Sequence, residues 1–245
     1  MNPLVIMAIG LFILSVVSGM LGLGVAFSAV PFLGLFLPDL VHQVQPLSLL
    51  LNGITALFAV FGFARSGLVD WRKAITLAVI TTLTAPAGAY LVQFVSQTYV
   101  WFAYLASVLY LSYRLFRPVK ERPGQENFRL ALILAVPISV LSGFLGIGPG
   151  FLLMPTLIIV GFNTKMAAGI NAFAVCPPSF SSLIPHIGTA QWDFNLTITL
   201  LAVGAVGSFI GARLTSLYVP SGRLKQIFGV LIVVMTAYKI YTLFR

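Results

Sequence analysis

The sequence predicts an all-helical integral membrane protein made of two inverted-topology repeats of about five helical segments each, with short glycine-broken helices in matching positions. Three observations carry that prediction. Of the 245 residues, 59% are hydrophobic and only 8% charged, which is too little polar surface to coat a water-soluble globule. Apolar runs recur along the whole chain, most of them about 18 to 23 residues long, enough to cross a ~30 Å hydrocarbon core at ~1.5 Å per residue. A block of residues near the N-terminus also returns in the second half. The runs lack the period-two alternation of a membrane barrel.

The first run, residues 3–21, follows no Lys or Arg and leads to no small-x-small cleavage site, so it reads as a retained helix rather than a signal peptide. Segments 24–37, 44–64, 74–95 and 99–117 follow. The hydrophilic stretch Arg117 to Asn127 carries two prolines, a glycine and mixed charge, and it divides the chain into a first membrane repeat (1–116), a cytoplasmic linker (117–128) and a second repeat (129–245). The second repeat contains segments 130–146, 149–161, 165–185, 194–216 and 226–244. Segments 24–37 and 149–161 have 14 and 13 residues. That is about 20 Å of helix, too short to span alone.

The repetition is visible residue by residue. Ser15 to Leu33 lines up with Ser139 to Leu157 at an offset of 124, and ten of the 19 positions are identical. The shared pattern Ser-Gly-x-Leu-Gly-x-Gly-x-x-Phe-x-x-x-Pro is more than apolar bias produces. Further along, with small gaps, Asn52 pairs with Asn171, Arg65 with His186, Gly67 with Gly188, Trp71 with Trp192 and Gly88 with Gly211.

An odd number of segments per repeat inserts the second half upside down relative to the first. The net charge of +9, which on a soluble chain would suggest nucleic acid, agrees with that arrangement, because it sits at segment ends and in the linker. Arg65, Arg72 and Lys73 share one loop, and Arg114, Arg117, Lys120, Arg122 and Arg129 surround the linker, so both regions read as cytoplasmic. In the second half the loop from His186 to Asp193 has no Lys or Arg, whereas Arg213, Arg223 and Lys225 cluster in the next one. The charge has changed loops, as inversion requires. Both termini then lie outside, with Lys239 and Arg245 running against the rule.

Inverted repeats with matching short, broken segments point to a secondary transporter whose site lies where the breaks meet. Unwound backbone is tolerated in a bilayer only where protein or a watery cavity satisfies it. Gly22, Gly24, Gly146, Gly148 and Gly150 let the chain turn, and Pro149 suits the first turn of the helix that follows. The helices within 24–37 and 149–161 would then aim free N–H groups into the membrane interior, where they favour an anion. The same glycines also suit close helix packing. Asn52 and Asn171 offer mid-span amides that can donate to an anion or brace helices, and His186 stands at a segment end.

These residues resemble the TauE/SafE family of membrane permeases, the sulfite exporter family. The likeness rests on the doubled glycine block, on Asn52 and Asn171, and on the turns Gly67 to Trp71 and Gly188 to Trp192, and it covers nearly the whole chain. It implies a multi-pass protein of the bacterial inner membrane that exports small sulfur-containing anions such as sulfite or sulfonates. Arg65, where the family pattern has a histidine like His186, and the tandem Pro177 and Pro178 depart from it.

Other chemistries find little support. Ser182 and His186 are four residues apart, the spacing of an intramembrane serine hydrolase pair, but no third group orients the histidine and no nucleophile signature surrounds the serine. No phosphate-binding loop is present, and Asp39, Asp70, Glu121, Glu126 and Asp193 all fall in loops or at segment ends, which argues against a carboxylate proton relay. Lone Cys176 reads as a packing residue. No cofactor or metal is required. The expected partners are a small anionic substrate and the lipid bilayer, with no nucleic acid, and Gly204 to Ser208 offers a small-residue surface for a homodimer. Membrane potential suffices as a driving force, since each charge leaving a negative cytoplasm gains ~2.3 kcal/mol per 100 mV. The competing readings are an anion channel and a membrane scaffold without a transport cycle.

Overall fold

The computed structural model describes residues 3–116 and 126–220, together with 226, 230 and 234. Nine helices of the described residues follow in order: α1 (Pro3–Met20), α2 (Ala26–Leu33), α3 (Gln45–Ala64), α4 (Trp71–Leu91), α5 (Gln97–Phe116), α6 (Phe128–Leu145), α7 (Gly150–Ile159), α8 (Thr164–Leu183) and α9 (Phe194–Leu217). A π turn over Leu40–Val44 leads into α3, and 3₁₀ turns extend α4 and α8 to Phe94 and His186. Most of segment 226–244 and of the linker, with Arg117, Lys120, Arg122, Arg223, Lys225, Lys239 and Arg245, lies outside the described residues.

Six helices, counted with their flanking turns, are long and apolar enough to cross a membrane: α1, α3, α4, α6, α8 and α9. Their outer faces carry bare apolar side chains such as Ile9, Leu83 and Ile133, while Ser15, Gln45, Ser48, Asn52, Asn171 and Ser208 are buried inside. Apolar outside and polar inside is the arrangement a bilayer imposes. The chain is a multi-pass, all-helical membrane protein.

The four long-helix starts between segments are capped by their own sequence. Asp70 accepts from the N–H of Lys73, Asn127 from Leu130, Asn163 from Lys165 and Asp193 from Leu196. Asp70 and Asp193 therefore occupy matching positions at an offset of 123. This corrects the pairing of Trp71 with Trp192: Trp71 is the first residue of α4, whereas Trp192 precedes the cap of α9. Matching tryptophans had suggested a register two residues away from the one the caps fix.

The large interfaces all cross between the two halves of the sequence. α1 and α3 pack on α9, α6 and α8 pack on α4, and α3 meets α8. Successive contacts give directions. Leu11 lies near Gly204 and Val16 near Gly211, so α1 and α9 run parallel. Thr55 meets Ser208 and Ser66 meets Arg213, so α3 runs with them. In the same way α4, α6 and α8 run together, with Gly88 against Val140 and Phe144, Ser181 against Thr82, and Gln93 against Pro185. The two three-helix bundles meet antiparallel at α3 and α8, where Asn52 reaches Ser179 and Gly53 lies against Phe180.

Some seams repeat atom for atom. A Cβ at Gly88 would stand 1.8 Å from Val140 O, and one at Gly211 would stand 1.9 Å from Val16 O, the same position one repeat earlier. Gly143 and Gly19 return the contact onto Ala85 and Ser208. The tandem prolines in α8 are absorbed at a similar helix crossing. Pro178 cannot donate to the Ala174 carbonyl one turn back; Thr81 Oγ1 stands 3.1 Å from that carbonyl and shares its one O–H between it and Leu77 O of its own helix at 2.9 Å.

The surface assigned to a homodimer is used within the chain. Gly204 and Gly207 face Leu11, Phe12, Ser15 and Thr55, and Ser208 Oγ donates to Thr55 O at 2.6 Å. Small residues in a membrane helix mark close approach but do not say to whose helix.

Candidate functional site

Both breaks are built by the same local rule. At the end of α1 the N–H of Gly22 bonds to Gly19 O and that of Leu23 to Ser18 O; at the end of α6 Gly146 bonds to Gly143 O and Ile147 to Ser142 O. This pair of hydrogen bonds closes a helix whose end residue turns left-handed. Gly22 and Gly146 do so at φ 63° and 68°, and Gly24 and Gly148 repeat the turn at φ 68°.

Two left-handed turns in three residues reverse the chain. α2 doubles back beside α1, bringing Phe32 against Gly10, and α7 doubles back beside α6, where Asn127 N–H donates to Val160 O at 2.9 Å. Neither short helix continues across. The helix starts meet between α3 and α8, where the equivalent Phe27 and Phe151 stack face to face with ring centroids 3.6 Å apart. Gly150 lies against Leu23 O, and Tyr104 of α5 donates to Phe27 O at 2.8 Å.

Asn52 stands between the breaks. A Cβ at Gly24 would fall 2.1 Å from its Oδ1, and one at Gly148 would fall 2.2 Å from its Nδ2. Both polar atoms of the amide are engaged: Oδ1 accepts from Ala26 N–H at 2.9 Å and Nδ2 donates to Ser179 Oγ at 2.8 Å. Thr55 Oγ1 accepts from Val25 N–H at 3.1 Å. The N-terminus of α2 is therefore closed by side chains from α3, and the expectation of free N–H groups there is corrected. Burial explains the difference, because backbone donors in an apolar interior take the nearest acceptor.

At the matching place on α8 the pattern differs. Asn171 Nδ2 donates to Gly22 O at 2.7 Å and to Gly150 O at 3.3 Å, tying both breaks together. Its Oδ1, the counterpart of the atom with which Asn52 caps α2, has no hydrogen-bond partner although the residue is fully buried. Exchanging the amide's O and N would set an oxygen against two carbonyls, so the network fixes the orientation.

The structure thus brings Gly22, Gly24, Asn52, Gly146, Gly148 and Asn171 together and leaves His186 apart, four turns along α8 from Asn171. His186 is fully buried beside the Val41 carbonyl and Ser182 Oγ is unpartnered, so the two are not hydrogen-bonded as a nucleophile and base pair. Cys176 packs with Ala56 and Val175. Thr55 escaped the sequence reading. Gln45, Ser48, Asn52 and Thr55, a polar stripe at helical spacing on an apolar helix, were the available signal.

The basic residues gather at one end of the bundle. Arg213 donates to Ser66, Arg65 lies over the Phe209 ring and Lys73 over the Phe162 ring. At the opposite end Gln191 N–H donates to His42 O, and Asp39 accepts from Val41 and His42. Burial raises the Asp39 carboxyl, but hydrogen bonds from His42 and Val41 and the nearby His42 ring outweigh it and hold the group below the usual carboxylate range.

Comparison with known proteins places this architecture. The family model described as sulfite exporter TauE/SafE matches residues 6–239. A probable membrane transporter protein of Xylella fastidiosa (strain Temecula1) is 28% identical over 242 residues, covering 91% of this chain and 89% of its own. Probable membrane transporter protein YdhB of Bacillus subtilis is 22% identical over 216 residues, covering 84% and 88%. A probable membrane transporter protein of Methanocaldococcus jannaschii is 23% identical over 207 residues, covering 80% and 77%. No solved structure matches. With a family match over nearly its whole length, and with its glycine breaks meeting inside a membrane-spanning bundle, the chain belongs to the TauE/SafE sulfite exporter family.

Proposed function

We propose that this membrane transporter exports a small sulfur-containing anion of the sulfite or organosulfonate class, driven by membrane potential, through alternating access. The observation that carries the reading is Asn171 Oδ1, an acceptor left open where two broken helices meet. An unsatisfied buried group costs about 1 to 3 kcal/mol, and a ligand that donates to it removes that cost. A singly protonated oxyanion such as hydrogen sulfite suits the place. Its O–H donates to Asn171 Oδ1 while its charged oxygens lie near the positive end of α7.

Alternating access takes a specific form here. Because each half packs on the other, the moving units are not the sequence halves but the mixed bundles α1, α3, α9 and α4, α6, α8. Motion at the α3 to α8 seam would open the site to one side at a time. The exchange of packing partners between the halves supports an inverted repeat with the basic end in the cytoplasm. For that orientation, a membrane-impermeant thiol reagent applied to whole cells should label Trp192→Cys and spare Arg72→Cys. Labelling of Arg72→Cys from outside would reverse the assignment.

The transport reading is tested by charge movement in proteoliposomes on a solid support, with pulses of sulfite, thiosulfate, sulfate, a sulfonate and acetate. A saturable current for the sulfur oxyanions is expected, and Gly24→Leu with Gly148→Leu should abolish it, since both side chains would displace Asn52. Silence toward every anion from folded protein would end the proposal. A dependence on an imposed proton or sodium gradient would end its energetic part.

A further inference from the structure

We propose that Gln45, Ser48, Ser182 and His186 form a second binding station for the transported oxyanion, on the His186 side of the crossing, a step that rests on the transport reading above. All four residues are fully or almost fully buried. Gln45 Oε1, Ser48 Oγ and Ser182 Oγ lack hydrogen-bond partners, the His186 ring bonds to no side chain and has the Val41 carbonyl beside it, and Gln45 Nε2 donates to Phe144 O at 3.3 Å. A native interior leaves few such groups open; Ser15, Thr82, Ser142 and Asn171 hold others among the described residues, and the largest group of them falls on this seam.

The register of that seam places them. Asn52 bonds Ser179 at 2.8 Å, and Gly53 lies against Phe180, across antiparallel helices. One turn outward Ser48 then stands at the level of Ser182, and a further turn brings Gln45 to the level of His186. The stripe continues inward to Asn52 and outward to the end of the bundle, where Gln43 Nε2 donates to Gln191 Oε1 at 3.0 Å. A hollow of about 190 Å³ opens at that end, lined by Gln43, Leu47, Gln191 and Asp193.

The chemistry matches a singly protonated oxyanion. Two hydroxyls and an imidazole N–H supply donors for its oxygens, and Gln45 Oε1 accepts from its O–H. The station also exists on one side only. α3 and α8 each have 20 residues, and pairing Asn52 with Asn171 sets Ser48 opposite Ala167, Ser179 opposite Val60 and Ser182 opposite Phe63. These three counterparts are buried apolar side chains, and Gln45 is matched by Thr164. An anion leaving the crossing toward His186 meets Ser182, Ser48 and Gln45, and one moving the other way meets the apolar Ala167, Val60 and Phe63 in the matching places.

The test is the Ser48→Ala, Ser182→Ala double variant, read by thermal unfolding in detergent and by sulfite-evoked current in proteoliposomes. Removing two unpartnered buried hydroxyls leaves stability unchanged or raises it. If the hydroxyls hold the anion, sulfite current falls at least fivefold and half-saturation moves to higher sulfite concentration. The single variants, each expected to lose about twofold to threefold, guard against a folding defect in the double variant. Unchanged sulfite currents in folded variants would overturn the station while leaving the transport reading intact. Silence of the unaltered protein toward sulfite would instead overturn the transport reading itself, so the two failures are distinguishable.

Discussion

Asn52→Ala should lower sulfite current more than tenfold in protein that still folds. Alanine leaves the Ala26 N–H without its acceptor, which costs about 1 to 3 kcal/mol, and lets the start of α2 drift from the crossing where Phe27 stacks on Phe151. Asn52→Asp separates capping from substrate handling. A carboxylate caps a helix start at least as well as an amide, so stability should recover toward that of the unaltered protein. The current should not, because the charge repels an anion and Ser179 loses its donor. Thermal unfolding and current on the same samples decide the matter. Full current in the aspartate variant would reduce Asn52 to a brace.

The second large effect is structural. Gly88→Val and Gly211→Val should each remove most folded protein, seen as loss of the monodisperse peak in fluorescence-detected size exclusion. The added carbon meets backbone oxygen at 1.8 or 1.9 Å, and backbone in the middle of a packed helix has little freedom to move away. Overpacking typically costs about 1 to 3 kcal/mol even where side chains relax, so a clash with fixed carbonyls should exceed that range. Gly188→Ala is the control, since nothing lies within 4 Å of the Cβ it would add. A normal peak for Gly211→Val would mean that α1 and α9 do not touch as described.

Much of this was legible in the sequence, for identifiable reasons. Hydrophobicity alone set the spans to within a few residues, because length in a bilayer is fixed by its thickness. The glycine block was readable because left-handed backbone admits few other residues. The occupants of the donors at α2 were not. Asn52 and Thr55 reach Ala26 and Val25 from another helix, and no local pattern reports which side chain comes within 3 Å of a distant N–H. For the same reason the open state of Asn171 Oδ1 could not be foreseen from a sequence in which Asn52 and Asn171 look alike. Tryptophan is common where helices meet water, so the shared Trp71 and Trp192 misled the register that the Asp70 and Asp193 caps set.

The crossing of interfaces between halves bears on biosynthesis. As the ribosome delivers the chain, α1, α3 and α4 enter the bilayer with their main partners α9, α8 and α6 not yet made. Glycine faces at Gly19 and Gly88 then lie against lipid until α9 and α6 arrive to cover them. The first half is thus held by its insertion rather than by its packing until the second half follows. A stop codon in the linker would leave half a protein with nothing to close on, and the two halves made as separate polypeptides would have to find each other in the membrane before either became stable.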